Sequence, residues 1–262
     1  MQPVTLITGA SAGIGAALAR VFAQHGHALA ITARREAQLT ALAAEIAGRG
    51  HQRPYVIASD LGAAGGPAQL AQALAARGLE PSAVVNNAGF GLLGEAAARE
   101  RADELAMIDL NARALTDLSL RWIDSLKRHR GGILNVASIA AFLPSPGMAI
   151  YHATKSYVLS FSEALHSELA PDGVRVTALC PGPVRTEFQE RAGIPHGYFP
   201  RILTLSAERV AREGYQGFVR GKRVVVPGFP NKVVTVLPRL VPRAIVLGMT
   251  GDRWRKVDRR AP

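Results

Sequence analysis

Val4-Thr-Leu-Ile-Thr8-Gly-Ala-Ser-Ala-Gly-Ile-Gly15 runs straight into Ala16-Ala-Leu-Ala-Arg-Val-Phe-Ala-Gln24. The first five residues are apolar and β-branched, the composition of a buried strand. The last nine are good helix formers. Between them Gly9, Gly13 and Gly15 carry no Cβ, so the chain can turn tightly and its backbone can approach a bulky anion. Strand, glycine turn and helix in this order form the layout of a dinucleotide-binding unit. The free N–H groups and positive dipole at the helix start receive the pyrophosphate. The plain alternative is an ordinary strand-to-helix turn; three glycines with these flanks favour the nucleotide.

The same alternation continues along the chain. Strands are predicted at 28–32, 54–58, 83–86, 131–137, 174–180 and 223–226, and helices at 36–49, 65–77, 101–128, 149–170 and 207–220. Repeated strand–helix units give an α/β fold, a doubly wound parallel sheet of about seven strands with helices on both faces. Residues 1–228 form one dinucleotide-binding catalytic domain, and 229–262 a basic C-terminal extension packed on or near it. Two segments break the alternation. One is Phe188 to Leu205, rich in Pro, Gly and aromatics and placed to close over a ligand. The other is the extension, whose Pro230, Pro238 and Pro242 argue against one continuous helix.

Tyr151-His-Ala-Thr-Lys155 places a phenol and an ammonium on one face of the 149–170 helix. A positive charge close by favours the phenolate and lowers its pKa, which makes the pair a proton donor and acceptor near neutral pH. Alone, the pair reads equally as a half-buried Tyr beside a solvated Lys.

The glycine spacing is Gly-x-x-x-Gly-x-Gly. Together with Tyr151-x-x-x-Lys155 it resembles the short-chain dehydrogenase/reductase family in its single-domain, Rossmann-type form. Asp60-Leu61, Asn86-Asn-Ala-Gly89, Asn111, Ser138 and Pro181-Gly-Pro-Val-Arg-Thr186 follow in the family's order, and the resemblance covers residues 4 to 228. It implies that Gly9, Ser11, Gly13, Ile14 and Gly15 hold the cofactor's phosphates, and that Asp60 and Leu61 meet the adenine. It places Asn87, Ala88 and Gly89 at the adenosine ribose, and Pro181, Gly182, Val184 and Thr186 at the nicotinamide. Tyr151 becomes the proton donor and Ser138 the hydrogen-bond donor to the substrate oxygen. Lys155 grips the nicotinamide ribose, and Asn111 holds a relay water. The segment Val226-Pro-Gly-Phe-Pro-Asn231 to Pro238-Arg-Leu-Val-Pro242-Arg is similar to a bacterial subgroup of broad or unassigned specificity.

The second strand ends Ile31-Thr-Ala33-Arg34-Arg35. In dinucleotide folds a carboxylate here bonds the ribose hydroxyls of NAD, and an arginine nearby accommodates the extra phosphate of NADP. By the resemblance the acidic position is Ala33 and the basic one Arg34. The expected cofactor is therefore NADP(H) in preference to NAD(H), with Arg35 either assisting or solvated at a helix start.

The chain has 262 residues and is 48% hydrophobic, enough for a sizeable core. Its one cysteine, Cys180, excludes an intrachain disulfide and reads as buried and inert. The seven histidines lack metal-ligand spacing, so no metal is expected. Without a basic leader or a long apolar run, the expected location is the cytoplasm. Of the net charge of +11, +9 falls on residues 220–262, which carry eleven Lys or Arg and two Asp. A basic tail without stacking aromatics does not suit nucleic acid. It reads either as a surface wrap or as a contact for a membrane surface or an acidic ligand. Ala140 to Met148, Phe188 to Leu205 and, as a further candidate, the tail are expected to wall a pocket whose Ala141, Phe142, Leu143, Pro144, Phe188, Ile194, Tyr198 and Phe199 are mostly apolar and suit a hydrophobic ketone, aldehyde or acyl thioester. The function expected is reduction of such a carbonyl by hydride transfer from NADPH with Tyr151 as proton donor; the reverse reaction, oxidation of the alcohol, is left open by the sequence. The alternative is a non-catalytic NADP(H)-binding redox sensor. The resemblance further implies a homodimer or homotetramer paired through helices 101–128 and 149–170.

Overall fold

The computed structural model describes residues 1–195 and 197–258; the end of the basic extension, 259–262, lies outside that range. In chain order the elements begin β1 (Gln2–Thr8), α1 (Gly13–Gln24), β2 (Leu29–Ala33), α2 (Glu36–Gly48), β3 (Tyr55–Ala58), α3 (Gly66–Ala75) and β4 (Leu79–Asn86). Next come α4 (Arg101–Ile108), α5 (Leu115–Arg121), α6 (Ile123–His129), β5 (Gly132–Val136), α7 (Ala149–Leu169) and β6 (Arg175–Leu179). The chain continues with α8 (Glu187–Arg191), α9 (Ala207–Val219), β7 (Val224–Val225), α10 (Phe229–Val236) and α11 (Arg243–Asp258).

All seven strands are parallel, in the order β3-β2-β1-β4-β5-β6-β7. The direction of winding reverses between β1 and β4, which opens a crevice at their carboxyl ends. Strand side chains alternate between two cores. Ile7, Ile31, Val85, Leu134 and Leu179 pack under α1, α2 and α9. Leu6, Ala30, Ile57, Val84, Ile133 and Val176 pack under α3, α5, α6 and α7. Phe22 is fully buried, with its ring edge-on to Tyr215 at 4.8 Å; burying such a side chain contributes roughly 1.5–3 kcal/mol. Between the cores, Asn86 Nδ2 donates to Ser119 Oγ and Asn135 Oδ1, and Asn135 Nδ2 donates to Ser162 Oγ. This buried polar ladder ties β4, β5, α5 and α7 together.

Three sequence expectations change in detail. The helix expected over 101–128 is three helices, with a π-helical stretch at Asp109–Ala114 and a break at Trp122. Uniform helix-forming composition conceals both. Secondly, β4 starts at Leu79 rather than Ala83 and carries Pro81 inside it. The β1–β4 register shifts there, between Val4 and Thr5, and an irregularity of this kind tolerates a missing N–H. Finally, the extension is divided at Pro238 and Pro242, as its prolines imply, but it is helical on both sides of them, which sequence reading did not foresee. Pro230 sits in the first turn of α10, where its lost N–H has no partner to miss.

Candidate active site

The glycine loop links β1 to α1 at the crevice. Gly9 has φ 64°, a backbone state that disfavours other residues. A Cβ on Gly15 would lie 2.3 Å from the Gly9 carbonyl oxygen and 2.4 Å from Asn87 Nδ2. Gly15 thus packs beneath the loop, and the loop is pulled close to β4. Thr8 Oγ1 accepts from the N–H groups of Asn87 and Ala88, and Asn87 Nδ2 donates to the carbonyls of Thr8 and Gly9. Asn87 therefore shapes the phosphate cradle with its amide.

One cavity of about 680 Å³ runs from this loop along the strand ends. It is lined by Gly9, Ser11, Gly13, Ile14, Arg34, Arg35, Asp60, Leu61, Asn87, Ala88 and Gly89 at one end. It is lined further by Ser138, Tyr151, Lys155, Pro181, Gly182, Val184 and Thr186, with Thr186 standing against Gly13. Gly15 and Asn111, named with them from the sequence, stand just behind its wall. At the near end Arg34 is exposed. Arg35 is half-buried, donating from Nε and Nη2 to Ser11 Oγ, while its Nη1 pairs with Glu187 Oε2 at 3.1 Å. Asp60 Oδ1 accepts from the Gly62 N–H.

At the far end Ser138 caps the short turn after β5. Its Oγ accepts from the Ala140 N–H and donates to the Pro181 carbonyl at 3.5 Å. The Tyr151 phenol lines the same cavity, near enough to the Ser138 hydroxyl for Ser138 to lower its pKa slightly. Lys155 is buried and donates from Nζ to the Val136 carbonyl at 2.8 Å. Asn111 sits in the π-helical stretch, a feature frequent at functional sites. Its Oδ1 accepts from the Phe90 N–H, and its Nδ2 donates to the Phe90 carbonyl and Thr154 Oγ1. A Cβ on Gly89 would lie 2.8 Å from Asn111 Oδ1 and 3.6 Å from Lys155 Nζ, so both groups converge on that turn.

The electrostatics differ from the sequence expectation. The Tyr151 phenol is not lowered; burial pushes it up to about 12, against a smaller lowering by Ser138. Lys155 does not compensate, because its Nζ points at Val136 and stands 5.8 Å from the ring centre. Burial instead lowers the ammonium to about 8. At pH 7 the phenol holds its proton and the lysine is mostly charged. Cys180 is buried, its thiol pushed up to about 12 by desolvation, as an inert core residue.

The substrate end is walled by Leu143, Met148, Phe188, Ile194, Tyr198 and Phe199. Of the expected wall residues, Ala141, Phe142 and Pro144 do not line it; Ala141 and Phe142 pack against the core around Val158 and Cys180. Sequence reading also missed His152, while the tail that it named as a further wall contributes two residues. His152 Nδ1 donates to the Leu143 carbonyl at 2.7 Å and fixes that wall to α7. Val234 and Thr250 reach the cavity from α10 and α11.

Asn231 on α10 was missed too. It is fully buried, and its Nδ2 donates to the carbonyls of Leu203 and Pro227. Its Oδ1 faces Gly182, where a Cβ would stand 2.3 Å away. The extension thereby braces the segment after β6. Gly182→Ala is expected to cost roughly 1–3 kcal/mol of stability through overpacking and to raise KM for the cofactor. Adding Asn231→Ala should recover part of both losses. A double-mutant cycle checks this; strictly additive effects would mean that the two residues do not press on one another.

A crevice at the reversal point of a parallel sheet is where such folds take a dinucleotide, and a protonated phenol at its far end adds acid chemistry. The class so defined is the dinucleotide-dependent oxidoreductase. The short chain dehydrogenase family profile matches residues 3–194. Sulfoacetaldehyde reductase 2 of Chromohalobacter salexigens is 36% identical over 191 residues, 72% of this chain and 75% of that protein. Among solved structures, a short-chain dehydrogenase from Sphingobium yanoikuyae in complex with NADPH superposes with TM-score 0.77 at 34% identity, covering 87% of this chain and 88% of that one. The bulky-bulky ketone specific alcohol dehydrogenase of Comamonas testosteroni superposes with TM-score 0.75 at 28% identity, covering 93% and 96%. The chain belongs to the short-chain dehydrogenase family and is an oxidoreductase acting on CH–OH or C=O groups.

Proposed function

We propose that the protein is an NADP(H)-dependent reductase of a fairly hydrophobic ketone, aldehyde or ketoacyl compound. The observation that carries this reading is one cavity lined both by the glycine loop with Arg34 and Arg35 and by Ser138, Tyr151 and Lys155. A loop that needs Gly9 for its positive φ and Gly15 for close packing on Asn87 brings bare backbone to the cavity at a helix start, which fits a pyrophosphate, and Arg34 and Arg35 fit the extra phosphate. The NADPH-bound relative supports the same choice. The reduced nicotinamide supplies the hydride when bound.

The chain's own residues manage the oxygen. Ser138 Oγ holds the carbonyl oxygen as negative charge grows on it. Tyr151 Oη delivers its proton to that oxygen, and the raised pKa keeps the proton in place until it is needed. The Lys155 ammonium, held at Val136 beside the Gly89 turn, would grip the nicotinamide ribose. Asn111, fixed to the Phe90 backbone, holds a water from which the proton is restored. Phe188, Ile194, Tyr198 and Phe199 favour an apolar substituent on the substrate. Filled acid, hydroxyl and ammonium positions speak against a sensor that binds without turnover. Pairing into a dimer or tetramer would use the α4–α7 face, where Leu105, Ile108, Leu120 and Tyr157 are exposed.

Absorbance of NADPH followed against ketones, aldehydes and acyl thioesters tests the reading. Consumption is expected with bulky apolar ketones or aldehydes; a flat trace with every class would end it. The pH dependence follows from Lys155. Its charged form prevails below about 8, so kcat/KM for NADPH should fall as pH rises through about 8. A profile level to pH ~10 would show that the free enzyme's lysine titrates elsewhere.

A further inference from the structure

The C-terminal extension is inside out. On α10 the buried side chains are polar, Asn231 and Thr235, while Phe229, Val233 and Val236 face water. Phe229 is 75% exposed; Leu240, just beyond the helix, is 77% exposed, and Ile202, on the turn hydrogen-bonded to Asn231, is 72% exposed. Isolated exposed apolar residues are ordinary. A concentration of them on one helix and its flanks marks a surface that is covered in use.

Its charge indicates by what. Residues 229–251 contain Lys232, Arg239 and Arg243 and no Asp or Glu, and residues 252–262 add five Lys or Arg against two Asp. Lys232 and Arg243 are exposed beside the apolar residues, and Arg201 precedes Ile202. A second copy seated on this face in a two-fold contact would bring like charges together. An anionic surface instead attracts Arg201, Lys232 and Arg243. Large protruding side chains among cations match the chemistry of a bilayer interface, the neighbouring Glu213 carboxylate being taken up by Arg209 and the Gly228 N–H. Among the described residues no helix is long and apolar enough to cross a membrane, so the contact is with its surface.

The same elements form the cavity wall. Leu203, Val234 and Thr250 line it from the turn at 201–203, from α10 and from α11. We propose that this face docks on an anionic lipid bilayer, with the substrate end of the cavity opening beside the contact so that an apolar substrate can enter from the lipid. The docking itself does not depend on the catalytic reading.

The test is co-sedimentation of the full chain with vesicles of phosphatidylglycerol and phosphatidylcholine, and with phosphatidylcholine alone, at low and high salt. The protein is expected to pellet with the anionic vesicles at low salt and to be released by high salt. Phe229→Ser/Leu240→Ser and Lys232→Glu/Arg243→Glu should each weaken that binding at least about tenfold. NADPH affinity and thermal melting should stay as in the parent, since these side chains are exposed and do not line the cavity. Three results would overturn the proposal. One is a parent protein that stays in the supernatant with anionic vesicles at low salt. Another is binding unaffected by either double substitution. The third is a concentration-dependent dimer that Phe229→Ser/Leu240→Ser dissolves while lipid binding is absent, which would make the face an interface between copies.

Discussion

Tyr151→Phe is expected to lower reductive kcat by roughly 10²–10⁴-fold while leaving NADPH affinity within about twofold. The substitution removes one oxygen and nothing else. The ring lies 5.5 Å from that of Phe188, and that contact survives, so the cavity keeps its shape. What disappears is the only proton aimed at the substrate oxygen from beside Ser138. The Lys155 ammonium also holds a proton through the neutral range, but its Nζ is engaged by the Val136 carbonyl and does not replace the phenol. Ser138→Ala should cost less, since it removes a hydrogen bond to the growing charge but leaves the acid. Single-turnover and steady-state rates, with NADPH affinity read by fluorescence and folding by thermal melting, separate these effects. A folded Tyr151→Phe protein with near-parental kcat would remove the phenol from the mechanism.

The parts of this site legible from sequence are those written in contiguous residues. The glycine loop, the Tyr151/Lys155 pair and Arg34 each declare themselves within a few positions, since a strand end or one helix turn fixes their neighbours. The sheet was legible for the same reason, as each strand is a short apolar run. What could not be read is set by depth and by distant partners. Four-residue spacing puts Lys155 beside Tyr151 but does not say that Nζ turns to Val136 or that burial outweighs its charge. The π-helical stretch hides because Asn111 is fixed by Phe90, 21 residues away. Asn231 was invisible because its meaning lies in Gly182, Leu203 and Pro227, three segments brought together only by folding. Its signal was an Asn among apolar residues, which sequence alone cannot separate from a turn.

Arg34→Ala is expected to weaken NADPH binding about 10- to 100-fold and to leave NADH binding nearly unchanged. The 2′-phosphate is the one group that distinguishes the cofactors, and a hydrogen bond to a charged partner contributes about 1.5–3 kcal/mol. β2 ends in Ala33, so no carboxylate there competes for ribose hydroxyls or repels a phosphate. Arg34 is exposed at the cavity rim, where its guanidinium can fold over the phosphate; screening by salt should reduce its effect. Arg35 stands differently. Its hold on Ser11 orients it, but its Nη1 is shared with Glu187 on α8. A phosphate reaching Arg35 must displace that carboxylate or sit beside it. Glu187→Gln should therefore tighten NADPH severalfold with little change for NADH, the opposite sign to Arg34→Ala. Removing both arginines should bring the two affinities together. Titration of NADPH and NADH into each protein, at two salt concentrations, reads all three outcomes. Equal affinities for the two cofactors in the unmodified protein would end the claim that this strand end selects the phosphate.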